Sequence, residues 1–221
     1  MITHFAELTL KTLSIQGVRQ FYHGVLHFPI ERENEDWIVF KPTPKIRLIF
    51  EQKYEPIAPV HLAFEVPYAE FGDIVQRLDK ALPLLAWPDG TTAEYYEGGA
   101  NVYFKDGDGN LLEFIAHEQV ADTGFEPHGS YRVLYLREVG MPVEDPVAAR
   151  NWMEKTLGLT IARDSELFAF VIGGTAHAVV VSTKRKWIPI DMYALPVSLA
   201  VTYGVSDADY VNQVRERLII G

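Results

Sequence analysis

Apolar and polar positions along this chain switch between two periods, and the switches recur. Glu7-Leu8-Thr9-Leu10-Lys11 alternates as a strand does, with Leu8 and Leu10 on one face and Glu7, Thr9 and Lys11 on the other. A helical stretch over about residues 14–26 follows, carrying Phe21-Tyr22. Glu138-Val139-Gly140-Met141 repeats the strand, and Asp145-Pro146 opens a helix carrying Trp152-Met153. In both copies the bulky pair follows the glutamate by fourteen and fifteen positions. A second correspondence joins Pro59–Phe64 to Pro196–Val201, each leading into an amphipathic helix. Phe71, Ile74, Val75 and Leu78 stripe one of these helices; Tyr210, Val211, Val214 and Leu218 stripe the other, with Ser206 and Asp209 resembling a capping box.

Strand patterns fill the intervals. Trp37–Phe40 and Ile46–Phe50 follow the first helix; a segment near Leu84–Trp87, then Ala100–Phe104 and Leu111–Ala116, follow the second. Asp106-Gly107-Asp108-Gly109-Asn110 supplies the residues that a tight hairpin needs. The expected fold is α+β: paired β-α-β-β-β modules forming a curved mixed sheet around a cup, duplicated, with the last module truncated. Gln119 to Ser130 is polar and carries Gly124, Pro127 and Gly129, so it reads as a linker. The expected division is 1–118 with the candidate site, 119–130 as linker, and 131–221 as a second, degenerate and incomplete domain. A sheet left unfinished by the short fourth module has an edge to cover, and a homodimer is the expected cover.

Composition narrows the function classes. A net charge of −10 over 221 residues argues against nucleic acid, whose phosphates require the opposite sign. Cysteine is absent, which removes disulfides, thiolate metal sites and a cysteine nucleophile. No apolar run reaches the length of a membrane span, and the first residues lack a signal-peptide pattern, so the expected location is the cytoplasm. The basic cluster Lys184-Arg185-Lys186 beside Trp187 reads as a solvated linker rather than a phosphate-binding patch.

Sorting each strand by parity exposes candidate chemistry. Leu62, Phe64 and Val66 oppose His61, Ala63 and Glu65; Leu112, Phe114 and Ala116 oppose Glu113, Ile115 and His117. Glu7, His61 and Glu113 therefore fall at comparable points on the polar faces of their modules. One imidazole and two carboxylates suit one divalent metal ion, with Fe, Mn, Ni, Co and Zn all compatible. Each has a plainer reading. Glu7 can pair with Lys11, and His61 can be a satisfied core histidine. Glu113 follows two leucines in a strand that otherwise looks buried, where an unpaired carboxylate is costly, so a functional role is favoured for it. Glu65 and His117 read as supporting or rim residues. Trp87, Tyr95, Tyr96 and Tyr103 read as packing or pocket-wall aromatics.

At these residues the chain resembles the vicinal oxygen chelate superfamily, the glyoxalase, bleomycin-resistance and extradiol-dioxygenase group. The resemblance is carried by Gln20-Phe21-Tyr22 through Leu26, by His61-Leu62-Ala63-Phe64-Glu65-Val66, and above all by the run from Tyr103 to Glu113. That run is close to the family's aromatic, Asp-Pro-Asp-Gly-Asn, apolar, Glu signature, with Gly107 where proline is usual. The likeness covers 1–118 well, 131–182 moderately and 196–221 weakly. It implies metal ligands on the first strand of each module and on the last strand, which are Glu7, His61 and Glu113 by position. Dioxygenase members show two histidines and one glutamate, so Glu7 departs from their pattern. Glyoxalase-like isomerases accept glutamate there and take a fourth ligand from the first module's last strand, where only Glu51 could serve. The corresponding positions of the second half are Glu138 and Ser198; with no closing glutamate strand, no metal site is expected there. The resemblance implies a metal-dependent lyase, isomerase or dioxygenase acting on a small molecule through vicinal oxygens, with Glu113 and Glu7 as catalytic carboxylates. A metal-free sequestering protein and a non-catalytic homologue are the alternatives.

Overall fold

The computed structural model describes residues 1–121, 131–206 and 218–220. Most of the expected linker and the helix striped by Tyr210, Val211 and Val214 lie outside the described residues. Leu218, expected on that helix, instead begins a strand.

In the first module β1 (Ile2–Thr12) leads into α1 (Ile15–Val18), which widens to a π-helical segment over Arg19–Val25. The Ser14 hydroxyl caps α1 by accepting the Gly17 N–H at 3.0 Å. β2 (Ile30–Glu33), β3 (Trp37–Thr43) and β4 (Ile46–Gln52) complete the module. The second module runs β5 (His61–Glu65), α2 (Phe71–Ala81), β6 (Ala93–Tyr96), β7 (Gly99–Lys105) and β8 (Leu111–His117). The third runs β9 (Tyr135–Val143), α3 (Pro146–Leu157), β10 (Thr160–Ala162), β11 (Phe168–Gly173) and β12 (Ala176–Ser182). A short hairpin, β13 (Lys186–Trp187) and β14 (Met192–Tyr193), precedes β15 (Leu199–Val205) and β16 (Leu218–Ile220).

Two large sheets result, and their composition decides where the site lies. One has the order β16-β15-β1-β4-β3-β2, the other β10-β11-β12-β9-β5-β8-β7-β6. The first strands of the second and third modules, β5 and β9, pair antiparallel at the centre of the eight-stranded sheet. Those of the first and fourth, β1 and β15, pair likewise in the six-stranded sheet. Each sheet thus draws strands from both sides of residues 119–130, so that segment does not separate one sheet from the other. On the side of the fourth module β15 lies between β1 and the three-residue β16, which is the outermost strand there among the described residues.

The parity argument holds in the core. Leu8, Leu10, Leu62, Phe64, Val66, Leu112, Phe114 and Ala116 are all buried in one cluster with Tyr22, Ile74 and Met153 from the helical segments. Tyr22 and Met153 occupy the same repeat offset, and both are the buried member of their pair. The second module's outer strand is Ala93–Tyr96 rather than Leu84–Trp87, which makes only a bridge from Leu84 to Phe104. Pro83 and Pro88 flank that segment, and a residue without an N–H cannot continue a ladder. Among the described residues no helix is long and apolar enough to cross a membrane.

Candidate metal centre

The loop between β7 and β8 sets the register on which the site depends. Asp106 accepts hydrogen bonds from the backbone N–H groups of Asp108 and Asn110, from the Asn110 amide and from the buried Tyr22 hydroxyl. Gly109 takes the positive φ of 82° that this turn requires. Asn110, held in this way, accepts the Val60 N–H at 2.8 Å through its side chain, and Leu111 N–H donates to the Val60 carbonyl. The start of β5 is thereby clamped to the start of β8, placing His61 opposite Leu111 and Ala63 opposite Glu113.

On the concave face of the eight-stranded sheet, His61, Glu113 and Glu138 converge. His61 Nε2 lies 3.5 Å from a Glu113 carboxylate oxygen and 3.6 Å from one of Glu138, and the three ligand atoms all fall within 4.8 Å of one another. The residues are 5%, 2% and 8% exposed respectively. His61 Nδ1 sits 3.2 Å from the Leu111 carbonyl, which can only accept, so Nδ1 is the donor there and Nε2 faces the two acids. Three ligand atoms of the kind that hold a divalent cation thus point at one space. Donors about 2.0–2.2 Å from one ion lie roughly 3–3.5 Å from each other, close to the separations observed. The Glu113 carboxyl is pushed well above the usual range, first by burial and then by the charge of Glu138, despite a hydrogen bond from Tyr103. The donor set, one imidazole and two carboxylates, fits a hard or borderline divalent ion.

His61 and Glu113 are thus brought together as the sequence predicted, but Glu7 is not in the group. It lies on β1 in the six-stranded sheet, opposite Arg47 of β4 and Thr202 of β15. The strand beside β5 is β9 rather than β1, so the acid that reaches His61 is Glu138. Residues 131–221, read from sequence as unable to build a metal site, therefore contribute a candidate ligand to one shared with the second module. Glu51, the other candidate from the first module, pairs with Lys11. On β12, Val179 stands opposite Gly140 much as Glu113 stands opposite Ala63, so the symmetric fourth position is apolar.

A bulge supplies a further device. The β5–β9 register slips between Ala63 and Phe64, leaving Arg137 as the extra residue of β9. Consecutive residues Arg137 and Glu138 consequently both face the same cavity, which strict alternation forbids. Arg137 Nη1 donates to Glu65 at 3.0 Å, and His117 donates to the same fully buried carboxylate through its backbone N–H, with its Nδ1 also at 3.0 Å. Glu65 and His117 thus act in support, as their positions suggested. The cavity is about 610 Å³, and Trp87, Tyr96, Tyr103 and Trp187 are among its walls. Tyr95 instead points outward and packs edge-on against Phe71. His177, opposite Glu138 in register, is pushed down to about 4 by burial and then by Arg137, so it is neutral at neutral pH.

Gly140 keeps the centre's apolar wall in place. The Trp187 indole packs against His61 with ring centroids 5.2 Å apart, directly over Gly140. A Cβ added there would lie 2.8 Å from the indole and 3.0 Å from the His61 Cβ. Gly140→Ala is expected to cost about 1–3 kcal/mol in thermal unfolding and to weaken divalent-ion binding by displacing His61. Unchanged values for both would show that Trp187 moves aside freely.

No family model matches the sequence, and no curated protein matches it. Among solved structures, a candidate dioxygenase from Bacillus subtilis subsp. subtilis str. 168 superposes with a TM-score of 0.69 at 16% identity, covering 97% of this chain and 74% of that one. A lactoylglutathione lyase from Agrobacterium tumefaciens matches 54% of this chain and 96% of its own at 19% identity and a TM-score of 0.40. A glyoxalase/dioxygenase from Nostoc punctiforme matches 52% and 91% at 19% identity and a TM-score of 0.42. With its repeated β-α-β-β-β modules around a cup, the chain has the fold of the vicinal oxygen chelate proteins.

Proposed function

We propose that this chain is a metal-dependent enzyme of the glyoxalase or extradiol-dioxygenase type, acting on a small organic molecule through two neighbouring oxygens. The observation that carries the reading is the buried convergence of His61, Glu113 and Glu138 on one cavity. His61 would hold one divalent ion through Nε2, and Glu113 and Glu138 through one carboxylate oxygen each. When bound, such an ion supplies Lewis-acid polarisation of substrate oxygens. The chain's own residues do the rest. The Leu111 carbonyl accepts from His61 Nδ1; Tyr103 donates to Glu113 and orients it; Trp187 and Trp87 keep the cavity wall apolar. Val179 leaves one side of the group without a protein ligand, facing the cavity where substrate would lie. A purely sequestering pocket has no use for two buried carboxylates beside an imidazole, each costly to desolvate unless compensated. A homodimer belongs to the same proposal, through the outer edge of β16, which has no neighbouring strand among the described residues.

The test is titration of chelator-treated protein with Zn(II), Mn(II) and Fe(II), the last under anaerobic conditions. One ion per chain is expected. Because burial and the Glu138 charge push the Glu113 carboxyl up while an ion takes its charged form, affinity should rise with pH. Absence of stoichiometric binding by all three ions would remove the enzyme reading.

A further inference from the structure

The cavity around the candidate metal centre is polarised from end to end, and its half-buried Arg185 pairs with no acid among the described residues. Strand order places β6 at one end of the eight-stranded sheet and β10 and β11 at the other, with the His61–Glu113–Glu138 group on the central strands β5, β8 and β9. The β6 end carries Glu94 and, just beyond that strand, Glu97. The opposite end carries Arg163 and Arg185. Arg137, the third arginine of the lining, is already paired with Glu65.

Arg185 differs from its neighbours in the basic cluster. Lys184 is exposed, and Lys186 pairs with Asp191, whereas Arg185 is half-buried and stacks over the Phe168 ring at 4.7 Å. Burial alone draws its guanidinium below its ordinary value, with no acid among the described residues to compensate. Phe168 packs edge-on against Phe170 at 5.0 Å, and Phe170 against His177, continuing an aromatic surface toward the central strands.

We propose that the substrate is a flat aromatic carboxylate, its carboxylate held by Arg185 and its ring lying along Phe168, Phe170 and Trp187, with its remaining oxygens directed at the central group. This rests on the reading of that group as a metal centre only for the last clause. Guanidinium–carboxylate pairing in a partly desolvated pocket is favoured by fork geometry, and the same guanidinium stacks well on an aromatic face. The exposed Arg163 at the same end would steer the anion inward without fixing it.

The experiment uses benzoate and its neutral isostere benzamide as probes of chelator-treated full-length protein, followed by tryptophan fluorescence and calorimetry. Without a metal the carboxylate has no ion to ligate, so a preference for it reports the arginine. Benzoate should bind about tenfold tighter than benzamide. R185Q should bring the two within about twofold while leaving benzamide binding unchanged; R185K should keep part of the preference, and R163Q all of it. A ratio near one in the unaltered protein, an equal loss for both probes in R185Q, or collapse of the preference in R163Q would each overturn the proposal. A separate arm with Zn(II) reads the central group: 2,3-dihydroxybenzoate should gain affinity over benzoate only when Zn(II) is present. Loss of that gain with the benzoate preference intact would sink the metal reading alone.

Discussion

Glu138→Gln should lower the affinity of the chain for a divalent ion by at least about 100-fold, as should His61→Ala and Glu113→Gln, while Glu7→Gln leaves it within about threefold. Loss of an outer partner of a metal ligand typically costs 10–100-fold, so removing a ligand itself should exceed that range. Glutamine keeps the shape of glutamate but offers a neutral oxygen, so the change isolates charge and ligation from packing. The measurement is competition for Zn(II) against a chromophoric chelator. A structural role for Glu138 makes a different forecast, because the free protein would then be weakened. Here Glu138 raises the Glu113 carboxyl by like-charge repulsion, so Glu138→Gln should leave the metal-free protein at least as stable as before. Retained binding in Glu138→Gln, or its loss in Glu7→Gln, would return the site to the first module.

The largest effect on stability is expected at Glu65, which touches no candidate ligand. Its carboxylate is fully buried and takes hydrogen bonds from Arg137 and His117. Glu65→Ala strands the Arg137 guanidinium in a largely buried position with only the Tyr135 hydroxyl, 3.3 Å away, as a remaining polar contact among the described residues. Breaking a buried pair from one side costs about 3–5 kcal/mol, because the surviving charge is left uncompensated. Urea unfolding of Glu65→Ala should show that loss at an unchanged m-value. Removing both charges together, in Glu65→Leu with Arg137→Met, should recover most of it. A loss below about 1 kcal/mol would mean that water reaches Arg137 and the bulge does not depend on the pair.

Parity, repetition and one loop motif are legible in the residues alone. Alternation in Leu8–Leu10, Leu62–Val66 and Leu112–Ala116 follows from strand geometry, which is local, so the order of residues suffices to tell the core face from the cup face. The run from Asp106 to Asn110 is readable for the same reason, since its hydrogen bonds close within five residues before reaching Val60. His61 and Glu113 share one module and a register fixed by that loop, and both meet as expected.

The choice between Glu7 and Glu138 is not local. The two glutamates occupy the same offset in repeats with equivalent patterns, and either first strand offers an apolar underside and a polar upper face to β5. Only closure of the whole chain selects β9 as the neighbour of β5 and gives β1 to β15. The bulge that turns Arg137 into the cavity breaks the alternation on which a residue-by-residue reading relies. The basic cluster at Lys184–Lys186 reads as solvated linker because sequence cannot tell which of three adjacent cations a neighbouring strand will cover, and β11 covers the middle one with Phe168. Local periodicity thus determined the modules, their faces and two of the three converging side chains; the long-range pairing of near-identical strands, whose energies differ only once the sheets are complete, decided the third.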